Sequence, residues 1–219
     1  MALGDATAVL NFANPDTAGG YYRVGARAQE EDLCRLLPQL YPSLIKSQTT
    51  HNFYPIVPGT ALVTQGLSIV RKPGTYALCS SLGTVSIVTA AMPRGTADRR
   101  PSGGWKGSEW WHDVSFRIRA VLYSCLQSGH TNLVLGAFGC GAFGNPAGPV
   151  AAVFREQLSS DEFRGAFSRV VFAVIDPVGT GNLKPFRQEM DKWKTKKGTT
   201  TSANNQRSQP PKKSKKSGK

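Results

Sequence analysis

The chain lacks most of what would carry it out of the cell or into a membrane. Its first residues, MALGDATAVL, have no basic stretch ahead of an apolar one and do not read as a secretory signal. No apolar run approaches the roughly 18 residues that span a bilayer. There are four cysteines, Cys34, Cys79, Cys125 and Cys140, in no CxxC pair, and the three histidines, His51, His112 and His130, are scattered. That spacing supports neither a disulfide framework nor a zinc site, so no metal or cofactor is expected. Internal repeats are absent, as are the Gly-Lys-Ser/Thr of a P-loop and the GxGxxG of a dinucleotide fold. These absences point to an intracellular protein, in the nucleus or cytoplasm, with no membrane partner.

Acid is missing from one end. Residues 192–219 hold ten of the 27 Lys and Arg and none of the 14 Asp and Glu. The other 17 bases face 14 acids in residues 1–191, so the body is near +3 while the whole chain is +13. The stretch GTTTSANNQRSQPPKKSKKSGK (198–219) has no aromatic residue and no aliphatic one larger than Ala, too little apolar surface to offset the entropy of ordering. The expected organisation is one domain over 1–193 and a disordered basic tail over 194–219. A tail of this kind is a solvated charge run, a nuclear address at Lys212–Lys215, or a contact for polyanions.

What is present alternates strand and helix. AVLNFA (8–13) is a short apolar run ended by Asn14-Pro15. Residues 26–37 are rich in helix formers and stop at Pro38. LVTQGLSIV (62–70) and VSIVTAAM (85–92) read as strands, NLVLGAF (132–138) as a buried strand, and RVVFAVID (169–176) as the last one. Ser108 reads as the N-cap of a helix to about Gln127, with Val114, Ile118, Val121, Leu122 and Cys125 on one face and Gly129 beyond its end. Asn145 and Pro146 read as cap and first residue of a helix to about Leu158, and Phe186–Trp193 as a short closing helix. The pattern implies an α/β fold with a mainly parallel sheet covered on both faces.

Two stretches could carry chemistry. GAFGCGAFGNPAGP (136–149) joins an apolar strand to a helix start. Glycines let backbone N–H groups approach a ligand and a helix N-terminus favours anions, so the loop can cradle a diphosphate; Gly139, Gly141 and Gly144 are equally readable as turn glycines. Phe138 and Phe143 flank it, as core residues or as a stacking surface. The second stretch is Gln29-Glu30-Glu31, after Gly19-Gly20. Neighbouring carboxylates can cleave a glycosidic bond if one is held protonated, although glutamates also open ordinary helices.

Taken together and in order, VLNFANPDTAGGYYRVGARAQEEDLCR (9–35), VSIVTAAMP (85–93), VLGAFGCGAFGNP (134–146) and VVFAVID resemble the bacterial-type poly(ADP-ribose) glycohydrolases. The resemblance covers about residues 8–178. It implies a macrodomain-like three-layer α/β/α sandwich with a mixed, mostly parallel sheet. It also implies hydrolysis of the ribose–ribose bond of poly(ADP-ribose), releasing ADP-ribose. Glu31 would be the general acid, Glu30 would hold a ribose hydroxyl, and Gln29 would support the loop. Asn11 and Asn14 match the paired asparagines of macrodomains. Gly19, Gly20 and Tyr21 form the loop over the ligand. Gly139, Cys140, Gly141, Ala142 and Phe143 would wrap the diphosphate, with Gly144 and Asn145 completing that loop. Partners would be poly(ADP-ribose), ADP-ribosylated proteins and ADP-ribose, bound by a monomer.

Two departures bear on turnover. The family loop ends in three glycines, and the third is Tyr21 here, where a positive φ would strain a tyrosine. The chain also begins almost at the first signature strand, where family members carry an additional stretch. These departures favour an alternative, a reader module that binds without cleaving; the intact Gln29-Glu30-Glu31 favours the enzyme. A nucleic-acid-binding protein driven by the tail is a third possibility.

Overall fold

The computed structural model describes residues 6–94, 100–176 and 181–204. Five strands form one sheet: β1 (Thr7–Phe12), β2 (Leu62–Ser68), β3 (Thr84–Ala90), β4 (Asn132–Leu135) and β5 (Arg169–Phe172). Their order is β2-β3-β1-β4-β5. β1 runs parallel to β3 and β4, and β4 parallel to β5. Only the edge strand β2 is antiparallel, pairing with β3 through a register shift between Thr64 and Leu67.

The helices are α1 (Gln29–Leu36), α2 (Leu40–His51), α3 (Glu109–Gln127), α4 (Ala147–Ser159) and α5 (Leu183–Asn204), with a single 3-10 turn at Tyr22–Val24. Successive residues of a strand face opposite sides, and both faces of this sheet are covered. Ala8 and Leu10 of β1, with Val88 and Ala90 of β3, pack into a core with Val114, Ile118, Val121, Phe154 and Phe186 of α3, α4 and α5. Val85 and Ile87 of β3, with Val9 at the margin, pack against Cys34, Leu37, Leu40 and Leu44 around α1 and α2. The result is the expected three-layer sandwich.

Most elements lie where the pattern puts them. Ser108 caps α3, its Oγ accepting from Trp111 N at 3.2 Å, and Gly129 takes a left-handed φ of 76° just past the helix end. Three expectations change. α2 occupies a stretch to which the pattern assigned nothing; Pro42 fits because it lies in the first turn, where an N–H has no intrahelical acceptor. α4 starts at Ala147, with Pro146 at the cap position and no side-chain cap bond, because Asn145 turns inward. α5 begins before Phe186 and continues past Trp193 to Asn204, so the first part of the basic stretch is placed in a helix. The rest of that stretch, 205–219, lies outside the described residues.

Candidate active site

β1, β3 and β4 are parallel, so the loops that leave their carboxyl ends share one edge of the sheet. β1 pairs with β4 only as far as Val9. Beyond it the side chain of Gln29 takes over: Oε1 accepts from Phe12 N at 2.8 Å and Nε2 donates to Leu10 O at 2.7 Å. One amide side chain thus continues the ladder and docks the start of α1 on the end of β1.

That docking buries the next two residues. Glu30 is 2% exposed and Glu31 5%. Glu30 Oε2 accepts from Asn14 N at 2.7 Å and Oε1 from Asn11 Nδ2 at 3.3 Å. Burial pushes its carboxyl up to about 7, the charge of Glu31 adding to the rise and the bonds from Asn14 and Asn11 opposing it. Glu31 Oε1 accepts from Tyr21 N and Oε2 from Ala28 N, both at 3.0 Å. The second bond satisfies one of the open N–H groups at the start of α1.

The two carboxylates converge beside Gly20. A Cβ there would lie 2.4 Å from Glu31 Oε1 and 3.0 Å from Glu30 Oε2, and Gly20 has φ of 57°. Tyr21, by contrast, has φ of −100°. Its backbone carries no strain, which corrects the expectation that tyrosine would suffer at this position; the residue is 60% exposed. Asn14 Oδ1 is committed to a turn, accepting from Asp16 N and Thr17 N at 2.9 and 3.1 Å. Asn11 is fully buried, and its Oδ1 has no partner among the described residues, although Nδ2 meets both Glu30 and Thr89 Oγ1.

The glycine loop leaves β4, the strand beside β1, at the same edge of the sheet. Phe138 is core, 1% exposed, with its ring 5.5 Å from that of Phe12. Gly139 has φ of 72°, and a Cβ on it would strike Met92 Cβ at 2.6 Å. Asn145 is the pin: Nδ2 donates to Pro93 O at 2.8 Å and Gly139 O at 3.0 Å, while Oδ1 accepts from Trp110 Nε1 at 3.0 Å. The residue read as a helix cap therefore ties the loop to the segment after β3 and to α3. Gly141 and Ala142 are exposed; Cys140, Phe143 and Gly144 are half-buried. Burial pushes the Cys140 thiol up to about 12, which removes it as a nucleophile near neutrality.

Several residues carried no signal in the sequence. Arg35 fastens the chain after Tyr22: it pairs with Asp32 at 2.9 Å, donates to Ala26 O, and lies 5.8 Å from the rings of Tyr22 and Tyr76. Tyr76 Oη donates to Asp32 at 2.7 Å, bringing a distant hairpin onto α1. A cavity of about 240 Å³ lies against this clasp, lined by Tyr22, Cys34, Arg35, Pro38, Arg71 and Tyr76. Among the described residues no cluster of three or more His, Cys, Asp or Glu could hold a metal, and no helix is long and apolar enough to cross a membrane.

A mostly parallel sheet covered on both faces, with a glycine turn over a buried carboxylate pair at the end of β1 and a glycine loop after β4, defines an α/β sandwich of the macrodomain kind. The comparisons with known proteins place it further. Residues 2–60 match the microbial-type PARG catalytic domain. The structure of poly(ADP-ribose) glycohydrolase from Thermomonospora curvata is 33% identical with a TM-score of 0.73, covering 86% of this chain and 69% of that one. That from Deinococcus radiodurans in complex with ADP-ribose is 34% identical with a TM-score of 0.71, covering 85% of this chain and 76% of that one. The T. curvata enzyme bound to the inhibitor ADP-HPD matches at 32% identity and a TM-score of 0.73, over 85% of this chain and 71% of that one. No curated protein matches the chain. The chain belongs to the microbial-type poly(ADP-ribose) glycohydrolase family.

Proposed function

We propose that the chain hydrolyses the ribose–ribose O-glycosidic bond of poly(ADP-ribose) and releases ADP-ribose. The observation that carries this is the buried pair Glu30 and Glu31 beside Gly20, in a chain a third identical to glycohydrolases of known structure. Cleavage breaks the bond between the anomeric carbon and the leaving ribose oxygen. That oxygen takes a proton from the carboxyl pair as an oxocarbenium-like centre forms; water adds to the carbon and returns a proton to the pair. A carboxyl pushed up to about 7 is still partly protonated at neutral pH, where an ordinary glutamate is nearly all ionised. The charge of Glu31 adds to that rise, so the proton on Glu30 answers to its neighbour. Within the pair we assign Glu31 as the donor to the leaving oxygen and Glu30 as the group that stores the proton and orients a ribose hydroxyl.

Asn14 and the Gly19–Gly20 turn would hold the ribose, and the Gly139–Asn145 loop the diphosphate. Partners would be ADP-ribosylated proteins, met by a monomer inside the cell, in nucleus or cytoplasm, with the basic tail adding polyanion contact. Of the two grounds for the reader alternative, strain at Tyr21 falls away, because Tyr21 has an ordinary φ. Assaying ADP-ribose release from poly(ADP-ribose) tests the reading directly. The wild type should turn over, and Glu31→Gln should lose about a hundredfold or more while still binding ADP-ribose. A wild type that binds ADP-ribose and never cleaves the polymer makes the chain a reader.

A further inference from the structure

Arg94 follows Met92-Pro93 on the loop leaving β3. Its backbone is anchored, because Pro93 O accepts from Asn145 at 2.8 Å. Its head bridges the loop after β1 and the glycine loop after β4. The guanidinium carbon lies 4.9 Å from the ring centroid of Phe143 on the glycine loop, and Nη2 lies 3.6 Å from Asp16 Oδ2 on the loop after β1. The two side chains are 51% and 66% exposed. At that separation and exposure the pair with Asp16 is loose and readily exchanged.

The glycine loop offers a diphosphate backbone N–H groups and the partial charge of the α4 N-terminus, but no full positive charge of its own. Arg94 is in place to supply one. We propose that Arg94 is the side-chain ligand of the diphosphate: on entry of ADP-ribose its guanidinium exchanges Asp16 for phosphate oxygens while remaining against Phe143. This rests on the ADP-ribose reading above. The chemistry favours the exchange, since a planar fork of N–H donors matches two phosphate oxygens and a diphosphate carries more charge than one carboxylate. Asp16 then acts as a resting counter-ion that keeps Arg94 between the two loops and competes with the ligand.

The test is calorimetry with ADP-ribose and with adenosine, which lacks the diphosphate, on the wild type, Arg94→Gln, Asp16→Asn and the double variant, at low and high salt. Arg94→Gln should weaken ADP-ribose about tenfold and flatten its salt dependence, leaving any adenosine binding unchanged. Arg94→Lys should recover part of the loss. Asp16→Asn should tighten ADP-ribose by a few-fold, and that gain should shrink in the Arg94→Gln background. ADP-ribose binding that Arg94→Gln leaves at the wild-type level overturns the assignment, and so does an Asp16→Asn gain of equal size with and without Arg94. A wild type that binds no ADP-ribose overturns the proposed function as well.

Discussion

Gly20 stands directly against Glu31: a Cβ on Gly20 would sit 2.4 Å from Oε1 of that carboxylate. The close approach lets Tyr21 N reach the same oxygen at 3.0 Å. Gly20→Ala must therefore push the turn and the carboxylate apart and must also hold alanine at φ of 57°. Turnover should fall by about a hundredfold or more through lost positioning, with far-ultraviolet circular dichroism unchanged. Activity within a few-fold of wild type would show that the turn does not set the carboxylate.

Glu30 makes stability depend on pH. Its carboxyl rises from 4.5 to about 7 on folding, so the native state holds a proton that the unfolded chain releases. The contribution is fully present below pH 4.5 and is lost as pH rises through about 7, a change of up to about 3 kcal/mol. Glu30→Gln should abolish that loss. Denaturant unfolding of both proteins at pH 5 and pH 8 measures it: the variant should gain relative to wild type at the higher pH. Turnover should fall along the same limb, above about pH 7, in the wild type.

Asn145 holds three partners from three segments, donating to Pro93 O and Gly139 O and accepting from Trp110 Nε1. Asn145→Asp keeps the acceptor and loses both donations, setting a carboxylate against two carbonyl oxygens. Asn145→Ala leaves the indole N–H and both carbonyls without this partner. Each variant should cost about 2–4 kcal/mol by urea unfolding and weaken ADP-ribose in calorimetry. An unchanged midpoint with unchanged binding would mean that the loop is held in place by other contacts.

Gln29 is tested by charge rather than shape. Gln29→Glu can still accept from Phe12 N but cannot donate to Leu10 O, and it places a third carboxylate beside Glu30 and Glu31. It should destabilise by about 1–3 kcal/mol at neutral pH and recover as pH falls toward 4.5. Equal loss at both pH values would assign the cost to geometry alone.

The strands were legible because apolar runs in this chain are short and bounded, and α3 because Ser108 and Gly129 mark its two ends. α2 was not, since Pro38 and Pro42 read locally as breakers; only the buried Leu40 and Leu44 show a helix there. The antiparallel direction of β2 leaves no local trace, being set by pairing with β3. Within the site, Gln29-Glu30-Glu31 stood out as a string of residues, but its roles differ by target: strand, asparagines, turn. Asn145-Pro146 has the composition of a cap, and what moves Asn145 inward is Trp110, 35 positions away in sequence. Arg94 sat in a stretch rich in glycine, arginine and proline with no periodicity to single it out.

The joint between β1 and α1 has a consequence for how this protein can change over time. Gln29, Glu30 and Glu31, proposed here as chemical equipment, are also structural fasteners, each closing backbone N–H groups of the strand end, the turn or the helix start. Deleting a carboxylate therefore loosens the scaffold along with the reaction. The glycine loop and the Arg94 segment are anchored through Asn145 instead, so exposed positions such as Gly141 and Ala142 can vary without disturbing that joint. Variation that spares this joint should therefore appear first in the loops that face solvent.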